Sequence, residues 1–345
     1  MAMTPLLRSR HTRRRLWLLG GALVVVLVII NVGAFAQAWG MTHYRTAGGD
    51  EVSLSQRRSF LNLRTLATGL ALPRPADTRT PADEGLAGEV RHYRVGEQRY
   101  EVWHIPIASP RGLVLMFHGY RATKSSLLAE ARFLHDHGWA TLLVDFRGGG
   151  GSSGNTTSIG YYEADDVAAA VAYARAAGLV AGRPLLLYGR SMGAAAVLRA
   201  VAVHGLQLDG LILEAPFDTL ANAVGNRLRI LGIPAFPIAQ LLTFWGGVQQ
   251  SFDGLAHRPR DYATHATCPA LFLWGAQDRH VTEPELRAVY AAYAGRKDLI
   301  VFPTATHQPF LTADPECYRG AVADFLRTVA PTAPAPPPAT SGGPP

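Results

Sequence analysis

Residues 184–203 read PLLLYGRSMGAAAVLRAVAV. The run from Leu185 to Tyr188 is apolar without alternation, the pattern of a strand covered on both faces. The Ala-rich run after Gly193 is a helix of small residues. Between them, Gly189-Arg190-Ser191-Met192-Gly193 must turn the chain sharply. A side chain at either flanking position would collide with neighbouring backbone, which is why such a turn carries glycine on both sides. Ser191 is thereby raised on a tight strand-to-helix corner at the start of a helix dipole, an arrangement suited to a nucleophilic hydroxyl.

Working outward, the same alternation of strand and helix continues in both directions. Strands are expected at 100–107, 113–117, 140–145, 184–188, 210–213, 270–274 and 299–302, and helices at 125–137, 161–177, 192–203, 283–294 and 315–329. Runs such as LVLMF and LLLY predict a doubly wound, mostly parallel α/β sheet with helices on both faces. Ligands bind beyond the carboxyl ends of such strands. A serine there needs a base, and the base an orienting acid. His307 lies just past the last expected strand and is the candidate base, with His280, His265 and His257 weaker rivals. Asp278, four residues past the strand at 270–274, is the candidate acid. Asp218 is its rival, with a helix-capping role as the plainer alternative. The oxyanion of an acyl-transfer intermediate needs two N–H donors; Met192 follows the nucleophile, and Tyr120 lies in the loop Phe117-His118-Gly119-Tyr120 after another strand. His118 itself reads as a structural histidine.

The segments His118-Gly119, Asp145-Phe146-Arg147-Gly148 with Gly150, Ser152 and Gly154, the corner at Ser191, Ala215-Pro216-Phe217-Asp218, and the surroundings of Asp278 and His307 together resemble the α/β-hydrolase superfamily. The match is most similar to its serine-aminopeptidase-like branch, which includes the α/β-hydrolase-domain 12, 13 and 17 proteins. It covers about residues 90–329. The resemblance implies a membrane-tethered serine hydrolase of esters or thioesters acting on small-molecule or lipid-like acyl substrates. Two departures stand out: Thr306-His307-Gln308 replaces a small residue and glycine before the base, and four glycines run from Gly148 to Gly151. Arg147 beside that run has no following Lys-Ser/Thr at phosphate-loop spacing, so it reads as structural. No metal or organic cofactor is called for. Residues 219–262 form an insertion read as a cap, in which Phe236, Phe244, Trp245 and Phe252 either line an acyl pocket or pack between cap helices.

The ends of the chain set its address. Residues 16–36 carry no charge and, at 1.5 Å per residue, are long enough to cross a hydrocarbon layer of about 30 Å. They follow Arg8, Arg10, Arg13, Arg14 and Arg15, which supply five of the net +7 charges and leave +2 for the rest. The basicity is local, which argues against a nucleic-acid partner. Positive flanking charge predicts residues 1–15 in the cytoplasm, a retained span at 16–36, and an extracytoplasmic catalytic domain at 90–329. The alternative is secretion after cleavage near Ala36, at the small-x-small site Ala34-Phe35-Ala36. Residues 37–89 are read as a stalk with a weakly amphipathic stretch at 54–70, and residues 330–345 as a Pro-rich solvated tail. The two cysteines, Cys268 and Cys317, make neither a disulfide framework nor a zinc site, but pair or stay free. An aminopeptidase of the same fold, using Glu214 or Glu163 to hold a free amine, and a catalytically silent envelope scaffold are the competing functions.

Overall fold

A computed structural model describes residues 6–45 and 69–330. Eight strands form one sheet: β1 (Glu89–Val95), β2 (Gln98–Ile105), β3 (Leu113–Phe117), β4 (Ala140–Val144), β5 (Leu185–Arg190), β6 (Gly210–Glu214), β7 (Ala270–Gly275) and β8 (Lys297–Phe302). Their spatial order is β1-β2-β4-β3-β5-β6-β7-β8. β2 runs antiparallel to both β1 and β4, and every other neighbouring pair is parallel. Every residue of β3, β4, β6 and β7 is buried, as expected for strands packed on both faces.

Among the described residues, the helices longer than one turn are α1 (Leu6–Thr42), α2 (Leu128–Asp136), α3 (Glu163–Ala176), α4 (Met192–His204), α5 (Leu220–Ile230), α6 (Ile238–Gln249), α7 (Glu283–Ala292) and α8 (Pro315–Val329). The expected helix at 125–137 begins instead as a 3-10 turn, Lys124–Leu127. There the Thr123 and Ser125 hydroxyls bond each other at 2.8 Å, and the Ser126 hydroxyl donates to the Thr123 carbonyl at 2.7 Å. Such local side-chain bonds compete with the helical ladder. β1 was not expected, because an edge strand with mostly exposed residues lacks a continuous apolar run; it is joined to β2 by a two-residue turn whose Gly96 has φ 57°.

The stalk expected at 37–89 takes a different form. α1 continues six residues past Ala36, and Tyr44, Leu70 and Leu72 bury together. The Thr157 amide donates to the Thr42 carbonyl at 2.9 Å, and the Arg45 amide to the Leu72 carbonyl at 2.8 Å. The end of α1 and the apolar residues Tyr44, Leu70 and Leu72 therefore dock on the domain instead of extending from it. Most of the amphipathic stretch at 54–70, the arginine side chains of Arg8 and Arg10, and the tail at 331–345 lie outside the described residues. Cys268 and Cys317 are both free and half-buried.

The Asp145 loop is held by a buried cation. Lys124 is fully enclosed, and its Nζ bonds Asp77 at 2.5 Å, Glu101 at 2.9 Å and Asp145, while lying 4.2 Å from the Trp103 ring centre. Burial works against the ammonium, but Asp145 and Asp77 outweigh it and hold its pKa above the ordinary value. The three carboxylates lie close enough together to hold a cation, and the lysine supplies it. Gly150 is required because a Cβ there would fall 1.9 Å from the Asp145 carboxylate. Replacing Lys124 by Met should cost about 3–5 kcal/mol by leaving buried charge unpaired, read as a drop in the denaturant midpoint.

One buried and one half-buried histidine make stability depend on pH. His257, under the cap, is pushed by burial to about 3; its Nε2 lies 3.2 Å from the Ile159 carbonyl. His280 is pushed to about 4, first by burial and then by His307 and Arg227. Both are depressed from 6.5, so as pH falls below that value the unfolded chain binds protons that the native state refuses. The histidine contribution to stability should therefore be full above pH 6.5 and be lost as pH falls toward 3, measured as a midpoint drop from pH 7.5 to pH 5 that His257→Gln reduces.

Candidate active site

Ser191 stands between β5 and α4 with φ 53° and ψ −111°, a backbone conformation rarely adopted by residues other than glycine. The packing that imposes it is visible at its neighbours. A Cβ on Gly189 would lie 2.7 Å from the Ala194 backbone, and one on Gly193 would lie 2.3 Å from the Phe117 carbonyl oxygen. α4 thus sits directly against the end of β3, and only glycines permit the approach. The Ser191 amide donates to the Glu214 carbonyl at 2.8 Å, fixing the corner to β6.

Arg190 secures the corner from beneath. It bonds Glu214 and Glu130 at 2.6 Å each, and also the Tyr188 hydroxyl at 3.0 Å. Burial raises the pKa of Glu130 in spite of the guanidinium beside it. Glu163 is likewise enclosed, accepting bonds from the Thr157 and Ser158 hydroxyls and the Gly160 amide. Neither Glu214 nor Glu163 is placed to hold a substrate amine.

The structure brings together the three side chains singled out at 191, 278 and 307. His307 Nε2 lies 3.1 Å from Ser191 Oγ, and its Nδ1–H donates to Asp278 Oδ2 at 2.7 Å. The other carboxylate oxygen of Asp278 accepts from the amides of His280 at 2.7 Å and Val281 at 3.0 Å. That pairing sets the imidazole tautomer: Nδ1 carries the proton and Nε2 is free to accept one. The loops bearing acid and base are stitched together, since the Ala276 amide donates to the Phe302 carbonyl and the Gln277 amide to the Ala305 carbonyl, both at 2.9 Å. Gly275 permits this, because a Cβ there would fall 2.4 Å from the Ala305 oxygen.

The rivals lie elsewhere. Asp218 accepts from the Thr219 amide at 2.6 Å and from the Asn222 side chain at 3.0 Å, a cap at the start of α5. His265 is exposed and His257 is buried under the cap. His280 packs against His307 with ring centres 4.9 Å apart, a proximity that its position in sequence did not suggest. His118 is structural: its Nδ1–H donates to the Gly119 carbonyl at 2.9 Å and its Nε2 accepts from the Phe146 amide at 3.2 Å. Gly119 faces the nucleophile, since a Cβ on it would sit 3.7 Å from that of Ser191. Tyr120 follows, its hydroxyl donating to the Met41 carbonyl of α1 at 2.6 Å. Met192 is buried at the first position of α4. Arg147 pairs with Asp166, which also accepts from the Tyr100 hydroxyl at 2.5 Å, so it is structural as read.

A cavity of about 1200 Å³ opens over Ser191 and His307. Cap residues Val224, Leu228, Ile238, Leu241 and Leu242 line one side. The opposite wall comes from α1, through Val28, Ile29, Val32, Ala34 and Met41. None of the four cap aromatics lines it. Phe236 and Phe244 face outward, Trp245 packs edge-on against Phe35 at 5.4 Å, and Phe252 stacks on Tyr161 at 4.3 Å.

The family model for serine aminopeptidase, S33, matches residues 108–243, which include Ser191 but end before Asp278 and His307. An uncharacterized protein of Mycobacterium tuberculosis, MT2364, is 30% identical over 229 residues, covering 64% of this chain and 70% of that one. The human protein ABHD12B is 28% identical over 229 residues, covering 62% and 60%. Among solved structures, the Pyrococcus furiosus esterase Pf2001 superposes with a TM-score of 0.61 at 20% identity, over 74% of this chain and 98% of that one. With the sheet order, the glycine-flanked corner at Ser191 and these matches in view, the chain belongs to the serine aminopeptidase (S33) family and has the α/β-hydrolase fold.

Proposed function

We propose that the protein is a membrane-anchored serine hydrolase that cleaves carboxylic esters or thioesters through an acyl-enzyme. The observation that carries this reading is the continuous hydrogen-bonded chain Asp278–His307–Ser191 at the floor of an apolar cavity. His307 Nε2 takes the Ser191 proton as Oγ attacks the acyl carbon, and Asp278 stabilises the imidazolium. The amides of Tyr120 and Met192 donate to the oxyanion. Collapse of the tetrahedral intermediate expels the alcohol or thiol with the proton from His307, and water then releases the acid by the reverse sequence.

α1 is the anchor. Its 31 residues from Thr12 to Thr42 are apolar enough to span, and Arg13, Arg14 and Arg15 stand exposed at its start. Retention is the favoured reading over cleavage near Ala36, because Ala34 and Ala38 are buried against the domain. The exposed arginines before the helix support a catalytic domain outside the cytoplasm. The burial of Glu214 and Glu163 in bonds of their own argues against an aminopeptidase. A fluorophosphonate, which reacts with an activated serine hydroxyl, is expected to label the full chain in detergent and not Ser191→Ala. A folded wild type that resists labelling overturns the assignment, and turnover of aminoacyl-nitroanilides in preference to acyl-nitrophenyl esters overturns the ester preference.

A further inference from the structure

Two cations at the cavity take no part in the Ser191 chemistry. Arg121 and Arg227 both line it, and among the described residues neither has a carboxylate oxygen within 4.0 Å. Arg227, on the second turn of α5, donates from Nη1 to the Ala223 carbonyl at 2.8 Å and lies 5.8 Å from the Tyr120 ring centre. Arg121 follows Tyr120 with φ 60°, a left-handed conformation that an arginine adopts only when its surroundings require it. The rest of the lining is almost wholly aliphatic. A guanidinium stays charged in such surroundings, and one carbonyl bond satisfies only part of its donor fork, so an anion compensates it best.

The second feature is the position of α1. The helix is exposed and apolar from Leu16 to Ile30, then meets the cap. The Trp245 indole N–H donates to Asn31 Oδ1 at 3.2 Å, and the Gln249 side chain donates to the Phe35 carbonyl at 2.8 Å. A span of about 20 residues beginning at Leu16 is still within hydrocarbon at this level. The cap exposes Phe236, Phe244 and Val248. The cavity wall at Val28 to Ala34 therefore lies at the depth of the acyl chains, and the cavity's size exceeds that of ordinary small-molecule sites, roughly 300–1,000 Å³.

Resting on the assignment of Ser191 as nucleophile, we propose that the substrate is a single-chain amphiphile bearing an acidic group close to its ester. It enters sideways from the bilayer between α1 and the cap. Its alkyl chain lies along α1, its carbonyl meets Ser191, and its phosphate or carboxylate pairs with Arg227 and Arg121. α1 is on this account a specificity element as well as an anchor.

The test uses the full chain in detergent micelles with three dodecanoyl esters: of glycerol, of glycerol 3-phosphate and of glycolate. Wild type should favour the phosphate or carboxylate ester in kcat/KM, and the order of those two identifies the acid. Arg227→Gln should reduce the acidic-to-neutral ratio about 10- to 100-fold, the worth of a charge-assisted bond, and Arg227→Lys should restore part of it. Gly33→Phe, which fills the α1 wall, should shift the preferred nitrophenyl ester to a shorter acyl chain. A wild type that is labelled by fluorophosphonate and hydrolyses all three esters alike overturns this inference alone, as does an acidic preference untouched by Arg227→Gln or a chain-length preference untouched by Gly33→Phe. A folded wild type that is neither labelled nor active overturns the hydrolase reading beneath it.

Discussion

Ser191→Ala should lower kcat by on the order of 10⁶-fold, and His307→Ala by a similar factor, with the double variant little worse than either. The reason lies in the distances: Nε2 at 3.1 Å from Oγ and Nδ1 at 2.7 Å from the carboxylate make one proton path, and a path is lost when either member is lost. What remains should be the contribution of the oxyanion donors and of binding, a residual roughly 10³–10⁴ above the uncatalysed rate. Rate measurements on a nitrophenyl ester decide it. Strictly additive losses would show that the two side chains act in different steps. Neither substitution should unfold the chain, since Ser191 carries its backbone strain through contacts of Gly189 and Gly193 that remain.

Asp278→Asn should cost about 10⁴-fold in kcat with the fold unchanged. An amide at this position keeps the volume and can still accept the His280 and Val281 amides through its oxygen. Its NH₂ would then face His307 Nδ1, which must turn acceptor, leaving the proton on Nε2 where it blocks attack by Ser191. The comparison with Asp218→Asn is informative, because that carboxylate caps α5 and makes no bond to His307. A loss at Asp218 matching that at Asp278 would overturn the assignment of the acid.

How far the sequence discloses this arrangement depends on the range over which each residue is constrained. The turn at Ser191 is legible because its glycines are demanded by atoms a few residues away or by an adjacent strand. Asp278 and His307 are legible through the rule that side chains after parallel strands converge at one sheet edge. Lys124 is not, since its partners lie 47, 23 and 21 residues distant and a loop lysine is ordinarily exposed. The same applies to Arg227, on a cap helix whose pattern records burial and not the cation it leaves unpaired. The docking of α1 on the domain is hidden for another reason: a helix apolar on every side carries no stripe to mark the face that meets the domain. The aromatics of the cap were conspicuous by type, yet smaller aliphatic residues form the cavity wall.

The bonds between the ends of β7 and β8 have a consequence for how the protein is made. During synthesis the corner at Ser191 emerges well before His307, which follows the last strand of the sheet, β8. Until the final strand has joined the sheet edge, the hydroxyl has no proton acceptor and behaves as an ordinary alcohol. The order of synthesis thus withholds the contact between Ser191 and His307 until the sheet is complete.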